Sequence, residues 1–202
     1  MKILKKLKAA EAARFDTLSD QLDIYNNWLE YTEHIVVNQN WIGPGKAAAF
    51  VINHYETTVT IADIGCGTGI SGALLSLAGY RKIDGYDVVD QYINASQKFY
   101  RETAYCDILK TPLPVKYDII LASGIFNFHC LSAVPVENIY NSINPDGCFV
   151  MINPSRSSNY LESSGWHSQK YFDFVDVIGP YNGRKETESQ YYKYETNILK
   201  PK

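Results

Sequence analysis

The segment at positions 63–69 holds the residues of this sequence whose types and spacing could do chemistry. The carboxylate of Asp63 comes near the end of an apolar run, and glycines follow at positions 65, 67 and 69. Side chains there would block a ligand's approach to the backbone, and glycine also tolerates the positive φ angles of a tight turn. A helix that begins near Ile70 would direct free N–H groups and its positive dipole end at this loop. The segment therefore predicts a site for a ligand with a polar or anionic end and an adenosine body.

Two further acids follow apolar runs in the same way. Asp87 lies 20 residues beyond Gly67, and Asp107 lies in the short sequence Tyr-Cys-Asp-Ile. A carboxylate at the first position can accept hydrogen bonds from both hydroxyls of a ribose. One at the second can accept from the exocyclic amine of an adenine. Each acid alone is weak evidence, because aspartate commonly ends strands and starts turns, but together they favour a nucleoside site.

Apolar runs and helical stretches alternate from Thr57 onward. We predict strands over 59–64, 82–87, 103–106, 117–123 and 148–152, helices over 71–78, 89–100 and 136–143, and a turn at 144–147. Two further strands, at 171–178 and 190–199, have only a connector at 180–183 between them. Strands alternating with helices favour a parallel sheet with both faces covered, and the last two strands favour an antiparallel hairpin. The expected fold is α/β with a seven-stranded, mostly parallel sheet.

The first 55 residues are helical in character. Apolar residues between 17 and 37 recur with rough helical spacing, and Pro44 suits the start of another helix over 46–54. We therefore expect one domain overall, with an N-terminal helical segment at 1–55 and the α/β part at 56–202.

The pattern Asp-x-Gly-x-Gly-x-Gly at 63–69 resembles the first motif of class I S-adenosylmethionine (SAM) dependent methyltransferases. Two further segments extend the resemblance. The fourth strand and its tail, 117–129, run Tyr-Asp-Ile-Ile-Leu-Ala-Ser-Gly-Ile-Phe-Asn-Phe-His. The approach to the fifth strand has Asp146 where the family usually has the first glycine of Leu-x-Pro-Gly-Gly. Over about residues 55–153 the chain is similar to methyltransferase 11/12/25-type domains and to small methyltransferase-like proteins of the Williams–Beuren-region type.

The resemblance implies a Rossmann-like fold, SAM as cofactor and S-adenosylhomocysteine (SAH) as product. It assigns Asp63 to the methionine amino end, Asp87 to the ribose and Asp107 to the adenine, and it makes 1–55 a lid over the site. The expected cofactor-binding residues are Asp63, Gly65, Cys66, Gly67, Thr68, Gly69, Asp87, Val88, Asp107, Ile108, Ser123 and Gly124.

The acceptor side is less well marked. His129 follows the fourth strand and is the candidate general base; the alternative is a histidine that satisfies a loop beside two packed phenylalanines. The sequence lacks Asn/Asp-Pro-Pro-Tyr after this strand, which argues against the adenine-N6 and glutamine methyltransferase type. We expect a small-molecule acceptor, methylated on oxygen or nitrogen. Candidate pocket residues are Tyr25, Trp28, Phe126, Phe128, Asn153 and Trp166.

Two other functions are compatible with parts of the sequence. Residues 67–72 satisfy the G-x-G-x-x-G pattern of NAD(P)-dependent oxidoreductases, but Asp63 and Gly65 precede it, as in methyltransferases. A SAM-binding protein without catalysis, acting as a partner of another protein, would carry the same glycine loop.

Composition narrows the class of protein further. The chain has 202 residues with 19 Lys and Arg against 22 Asp and Glu, and this net charge of −3 argues against nucleic-acid binding. Its four cysteines show no zinc spacing, which fits a reducing compartment, and no metal-ligand cluster is evident. No signal peptide and no apolar run of about 18 residues occurs. We expect a cytoplasmic monomer or homodimer that does not bind membranes.

Overall fold

The computed structural model describes residues 32–38, 40–126, 136–155, 171–185 and 191–202. Within these ranges the chain forms one seven-stranded sheet. Its strands are β1 (Ile61–Ile64), β2 (Ile83–Asp87), β3 (Glu102–Tyr105), β4 (Tyr117–Ser123), β5 (Ile143–Pro154), β6 (Phe172–Lys185) and β7 (Tyr191–Pro201). Their order across the sheet is β3-β2-β1-β4-β5-β7-β6.

The first five strands are parallel and the last two are not. β1 lies between β2 and β4 and is parallel to both. β3 is parallel to β2, and β5 is parallel to β4. β7 pairs antiparallel with both β5 and β6. This arrangement confirms the predicted α/β fold, with its mostly parallel sheet and its C-terminal hairpin. The carboxyl ends of β1, β2 and β4 therefore meet at one edge of the sheet.

Helices cover both faces, because the central strands are apolar on both sides. The helices are α1 (Gly43–His54), α2 (Ile70–Leu77), α3 (Asp90–Ser96) and α4 (Val136–Asn141); a 3₁₀ turn, Gln97–Phe99, follows α3, and a π-helix, Thr32–Asn38, precedes α1. Ile61 and Leu121 pack with Val51 of α1 and Leu75 of α2 on one face. On the other face, Ile120 packs with Ile139 of α4.

Several predicted boundaries differ from the structure. The predicted turn at 144–147 lies inside β5, at an irregularity where two paired residues of β5 are five positions apart while their partners on β4 are two positions apart. The predicted connector at 180–183 is wrong, since it lies inside β6, which continues to Lys185. Among the strands described β6 is an edge strand, and an edge tolerates proline because one side of the strand has no ladder to lose. The second and third predicted helices end earlier than expected, at Ser96 and Asn141.

The N-terminal prediction is only partly covered. Residues 1–31 lie outside the described part of the chain, and the expected helix over 17–37 is represented by the π-helix at its end. The helix predicted over 46–54 begins at Gly43, three residues before the expected start, with Pro44 in its first turn. None of the helices described is both long and apolar enough to cross a membrane.

Asp118 joins three strands at the amino edge of the sheet, away from the glycine loop. Its Oδ2 atom accepts from the N–H and the hydroxyl of Thr60, each at 2.8 Å, and its Oδ1 accepts from the Asn144 amide at 2.8 Å. Burial raises the pKa of Asp118, but these hydrogen bonds outweigh burial and leave the pKa below its ordinary value.

We expect Asp118→Ala to lower the free energy of unfolding by about 1–3 kcal/mol at neutral pH, because it leaves charge-assisted donors unpaired. A depressed carboxyl pKa stabilises the fold above the unfolded pKa and ceases to do so as pH falls through the folded one. The difference in the free energy of unfolding between wild type and variant should therefore become smaller below about pH 4. Urea unfolding at neutral and acidic pH measures it, with the exposed neighbour Asp146→Ala as control. Equal losses in both variants would contradict the prediction.

Candidate functional site

The glycine loop crosses from the end of β1 to the start of α2 over the end of β2. Gly65, Gly67 and Gly69 have φ angles of 66°, 53° and 89°, in the left-handed region that favours glycine. The N–H groups of Gly65 and Cys66 both donate to the Tyr86 carbonyl, at 2.7 and 3.0 Å. These bonds fix the loop to the carboxyl edge of the sheet.

The three glycines face different surroundings. A Cβ atom on Gly65 would lie 2.0 Å from Cγ2 of Ile125, and one on Gly69 would lie 2.8 Å from the Phe99 ring. A Cβ on Gly67 would meet no atom within 4 Å. Gly65 and Gly69 are therefore required by packing, whereas the space beside Gly67 is left open by the protein.

Asp87 fastens this loop to the end of β2. Its Oδ2 accepts from the Gly67 N–H at 2.8 Å, and its Oδ1 accepts from the N–H groups of Val88 and Val89 at 2.8 and 3.0 Å. The side chain is buried, and burial raises the pKa of Asp87 although the three N–H donors act in the opposite direction. The sequence identified this acid but not its bonds to the loop.

Asp63 is buried at the end of β1, with 1% of its surface exposed. The Tyr100 hydroxyl donates to its Oδ2 at 2.7 Å. Burial raises the pKa of Asp63 to about 7, against the effect of hydrogen bonds from Tyr100 and Ser71, and the charge of Asp87 raises it further. Near neutral pH, Asp63 is thus poised between its neutral and charged forms.

Tyr100 was not singled out from the sequence. Its ring lies between α2 and β2, where Cβ atoms on Gly72 and Gly85 would come within 2.4 and 3.0 Å of it. A glycine in the middle of a buried strand, such as Gly85, often marks a close approach by another group, and that was the available signal. Nothing in the sequence distinguishes Tyr100 from the other fifteen tyrosines as that group.

Asp107 and Ile108 follow β3 and are both buried. Asp107 begins a turn in which its Oδ1 accepts from the Leu109 N–H at 3.1 Å, while its Oδ2 forms an ion pair with Lys110 at 3.1 Å. The Cys106 N–H donates to the Asp87 carbonyl at 3.0 Å, so the ends of β2 and β3 are held together. The predicted third acid therefore stands beside the second one.

A cleft opens between the glycine loop and the segment before α1. Its polar side chains include Asp63 at the end of β1, Ser71 in α2 and Ser123 at the end of β4. The remaining lining residues are Val36, Trp41, Pro44, Gly65, Cys66, Gly67, Thr68 and Ile70. Most of the residues predicted to bind the methionine part of a cofactor are thus brought together.

Ser123 and Gly124 end β4 beside this cleft. The Ser123 hydroxyl is buried and has no hydrogen-bond partner among the residues described. Gly124 has a φ angle of 78°, and a Cβ there would lie 3.1 Å from the Trp41 ring. A buried hydroxyl without a partner is costly, so it indicates a place where a ligand supplies the partner.

The π-helix contributes to the same cleft from the N-terminal side. The Thr32 hydroxyl lies 2.5 Å from the Thr68 hydroxyl in the glycine loop. Val36 and Trp41 line the cleft, and the Trp41 ring also packs on Tyr194 of β7 with centroids 4.4 Å apart. Part of the segment predicted as a lid therefore contacts the loop that it was expected to cover.

Of the residues predicted to contact the acceptor, the structure describes Phe126 and Asn153. Phe126 is buried in the core against Phe149, with ring centroids 6.2 Å apart. Asn153 is fully buried, and its Oδ1 accepts from Asn197 at 2.7 Å. These positions give no support to a role in an acceptor pocket. The other candidates lie outside the described residues, and they are Tyr25, Trp28, Phe128, His129 and Trp166.

The cysteines and acids of the described chain form no metal site. No group of three or more His, Cys, Asp or Glu there is arranged to hold an ion. Cys66 is buried in the glycine loop, and burial raises the pKa of its thiol. The thiol is therefore a small apolar group at neutral pH and not a thiolate.

The fold is that of SAM-dependent methyltransferases. A TehB-like SAM-dependent methyltransferase from Corynebacterium glutamicum has a similar structure, with a TM-score of 0.60 and 16% identity over 77% of this chain and 87% of that one. A SAM-dependent methyltransferase from Clostridium acetobutylicum has a TM-score of 0.60 and 13% identity, over 88% and 98%. A magnesium protoporphyrin IX methyltransferase from Synechocystis, solved with bound SAH, has a TM-score of 0.57 and 13% identity, over 79% and 82%.

At these identities the likeness establishes the fold class that the sequence predicted. No protein-family model and no curated protein sequence matches the chain. The narrower similarity to methyltransferase 11/12/25-type domains therefore remains a resemblance carried by the motifs.

We expect Gly65→Ala to destabilise the fold more than Gly67→Ala. Both place an alanine at positive φ, which costs roughly 1–2 kcal/mol, but only the first drives a methyl group into Ile125. Overpacking of this kind adds about 1–3 kcal/mol. Chemical denaturation measures the difference, and Ile125→Ala should recover part of the loss in the Gly65→Ala background. Equal stabilities of the two single variants would contradict the packing account.

Proposed function

We propose that this protein is a SAM-dependent methyltransferase that acts on a small-molecule acceptor, with transfer to oxygen or nitrogen. The observation that carries the proposal is the convergence of three buried strand-end acids and an open glycine loop at one edge of a methyltransferase-type sheet. Ligands of open α/β sheets bind at the carboxyl ends of the strands, near the point where the strand order reverses. Here that point lies between β1 and β4.

The residues present fit the chemistry of SAM. Its methionine end carries an ammonium group and a sulfonium, and the buried Asp63 carboxylate suits a cation. The open space beside Gly67 admits a ligand to the loop backbone, and the Ser123 hydroxyl offers a buried group without a partner. Asp87 uses three of about four acceptor positions on its two oxygens for N–H groups, which leaves capacity for a ribose hydroxyl.

In this proposal each predicted residue keeps the role that the resemblance gave it. The loop from Gly65 to Gly69 cradles the methionine and ribose, Asp87 and Val88 hold the ribose, and Asp107 with Ile108 holds the adenine. Ser123 and Gly124 contact the methionine part. Residues 1–55 form the lid, an assignment supported by the contact of Thr32 with Thr68.

When bound, SAM supplies a methyl group that its sulfonium has already activated. The chain's own contribution is then to align the acceptor with this group and to exclude water. Holding two reactants in line can account for about 7–11 kcal/mol of a barrier. A hydroxyl acceptor would also lose a proton, and His129 is the proposed base, which contributes typically 10²–10⁴-fold in rate.

The oxidoreductase alternative is disfavoured by topology. Dinucleotide-binding sheets of the doubly wound type have the order 3-2-1-4-5-6. This sheet instead inserts an antiparallel seventh strand between the fifth and the sixth. Binding without catalysis would use the same loop, and transfer of a labelled methyl group distinguishes the two functions. The acceptor class is supported by the missing Asn/Asp-Pro-Pro-Tyr motif and by the porphyrin substrate in the name of the Synechocystis enzyme.

Asp87→Ala should weaken SAH binding at least tenfold, because it removes a charged hydrogen-bond acceptor worth about 1.5–3 kcal/mol and also releases the loop at Gly67. Isothermal calorimetry with SAH measures the change. Asp118→Ala is the matched control, since that carboxylate also accepts backbone and side-chain bonds but lies at the opposite edge of the sheet. It should lose stability and keep its SAH affinity. Unchanged binding by Asp87→Ala would overturn the ribose assignment.

Methyl-labelled SAM, incubated with the protein and, in separate reactions, with the small-molecule and the macromolecular fractions of an extract from the source cell, should yield labelled small molecules together with SAH. His129→Ala should lower this turnover by about 10²–10⁴-fold if the acceptor is a hydroxyl, with SAH affinity unchanged. His54→Ala, an exposed histidine at the end of α1, is the control. Label that enters only macromolecules would refute the small-molecule acceptor. SAM binding without any transfer, across all fractions, would favour the non-catalytic alternative.

A further inference from the structure

We infer that Tyr100 is a positioning residue, which holds the carboxylate of Asp63 in the direction needed to receive the cationic end of the cofactor. This inference rests on the proposed function, because it concerns the same site. Tyr100 does not line the cleft, whereas Asp63 does, so Tyr100 acts through Asp63.

The contact is short and buried. The Tyr100 hydroxyl donates to Asp63 Oδ2 at 2.7 Å, and the exposed fractions of the two residues are 8% and 1%. A buried carboxylate that loses a donor loses the free energy of a charge-assisted hydrogen bond.

The ring of Tyr100 is held from two sides. A Cβ atom on Gly72 in α2 would lie 2.4 Å from the ring, and one on Gly85 in β2 would lie 3.0 Å from it. An alanine at position 72 would overlap the ring, and one at position 85 would displace it slightly, so the two glycines together define the place of the ring. The helix after the glycine loop and the strand that ends in Asp87 together determine where the hydroxyl points.

Four neighbouring side chains of the described residues interact with Asp63, and they are Cys66, Ser71, Asp87 and Tyr100. The Asp87 charge and burial favour the neutral form, whereas hydrogen bonds from Tyr100 and Ser71 favour the carboxylate. Burial and the nearby charge of Asp63 both raise the pKa of the Cys66 thiol. The thiol is therefore neutral near pH 7. Tyr100 is thus the principal donor that offsets burial in favour of a charged Asp63.

The sign of the pH dependence follows from this balance. A ligand cation that meets Asp63 needs the carboxylate ionised, so binding expels a proton when Asp63 is protonated in the free protein. The affinity for SAH should then rise with pH and level off above the pKa of Asp63, which is about 7. Without the Tyr100 donor that pKa rises, and the levelling-off moves to higher pH.

The test is calorimetry of SAH binding between about pH 6 and 8.5, in buffers of different ionisation enthalpy, for wild type, Tyr100→Phe and Tyr80→Phe. The pH range extends below and above the pKa of Asp63. The dependence of the binding enthalpy on the buffer gives the number of protons released on binding. Tyr80 is the matched control, because its buried hydroxyl donates to the Val51 and Tyr55 carbonyls, away from the cleft. We expect Tyr100→Phe to bind SAH about tenfold more weakly at pH 7 and to level off at higher pH, and Tyr80→Phe to behave as wild type.

Two further variants make the outcome decisive. Gly85→Ala should displace the Tyr100 ring by a few tenths of an ångström and shift the pH profile in the same direction as Tyr100→Phe. Asp63→Asn should abolish the pH dependence of SAH affinity. In the Asp63→Asn background, Tyr100→Phe should cause no further change in SAH affinity.

A Tyr100→Phe protein that unfolds at lower temperature but keeps the wild-type affinity and pH profile would overturn the inference, since Tyr100 would then serve the fold alone. A Tyr100→Phe effect that persists in the Asp63→Asn background would overturn it as well. Wild-type protein that binds no SAH would refute the proposed function itself, and the inference with it. Binding by wild type with a flat pH profile would refute only the positioning role.

Discussion

The arrangement of the site depends on one carboxylate that serves three backbone donors. Asp87 accepts from Gly67 in the loop and from Val88 and Val89 beyond β2. A loop of alternate glycines is costly to order, because glycine loses more conformational freedom on folding than any other residue. The bond to Gly67 offsets part of that cost and ties the loop to the strand that ends in Asp87. This attachment holds the loop at the carboxyl end of β2, beside the cleft.

The elements that position the site were predictable because their signals are local. β4 occupies the predicted range, and α2 begins at Ile70 as expected, since a continuous apolar run and a glycine loop each have one structural meaning. The Pro- and Gly-containing segments were misjudged, because the same composition serves a turn between strands or a bulge within one. Only the pairing of β5 with β4, and of β6 with β7, distinguishes these two uses.

The contacts between distant residues were not predictable. Asp63 and Tyr100 are 37 positions apart, and their meeting depends on how β2, α2 and the 3₁₀ turn pack around two glycines. The sequence marked Asp63 as an acid at a strand end. Nothing in the sequence indicates that burial and a hydrogen bond from Tyr100 act in opposite directions on the ionisation of Asp63. In the same way, Phe126 and Asn153 looked available for a substrate, yet tertiary packing buries both in the core.

The outer edge of the sheet has a consequence of its own. Among the described strands β6 is the last in the order, and an unpaired edge strand is a template on which a foreign chain could add a strand. Its ladder with β7 is interrupted by three register shifts, and Pro180 offers no N–H to a newcomer. Such irregularities twist an edge away from flat pairing. The irregular stretch around Pro180, which its composition marks as a connector, therefore disfavours edge-to-edge pairing of β6.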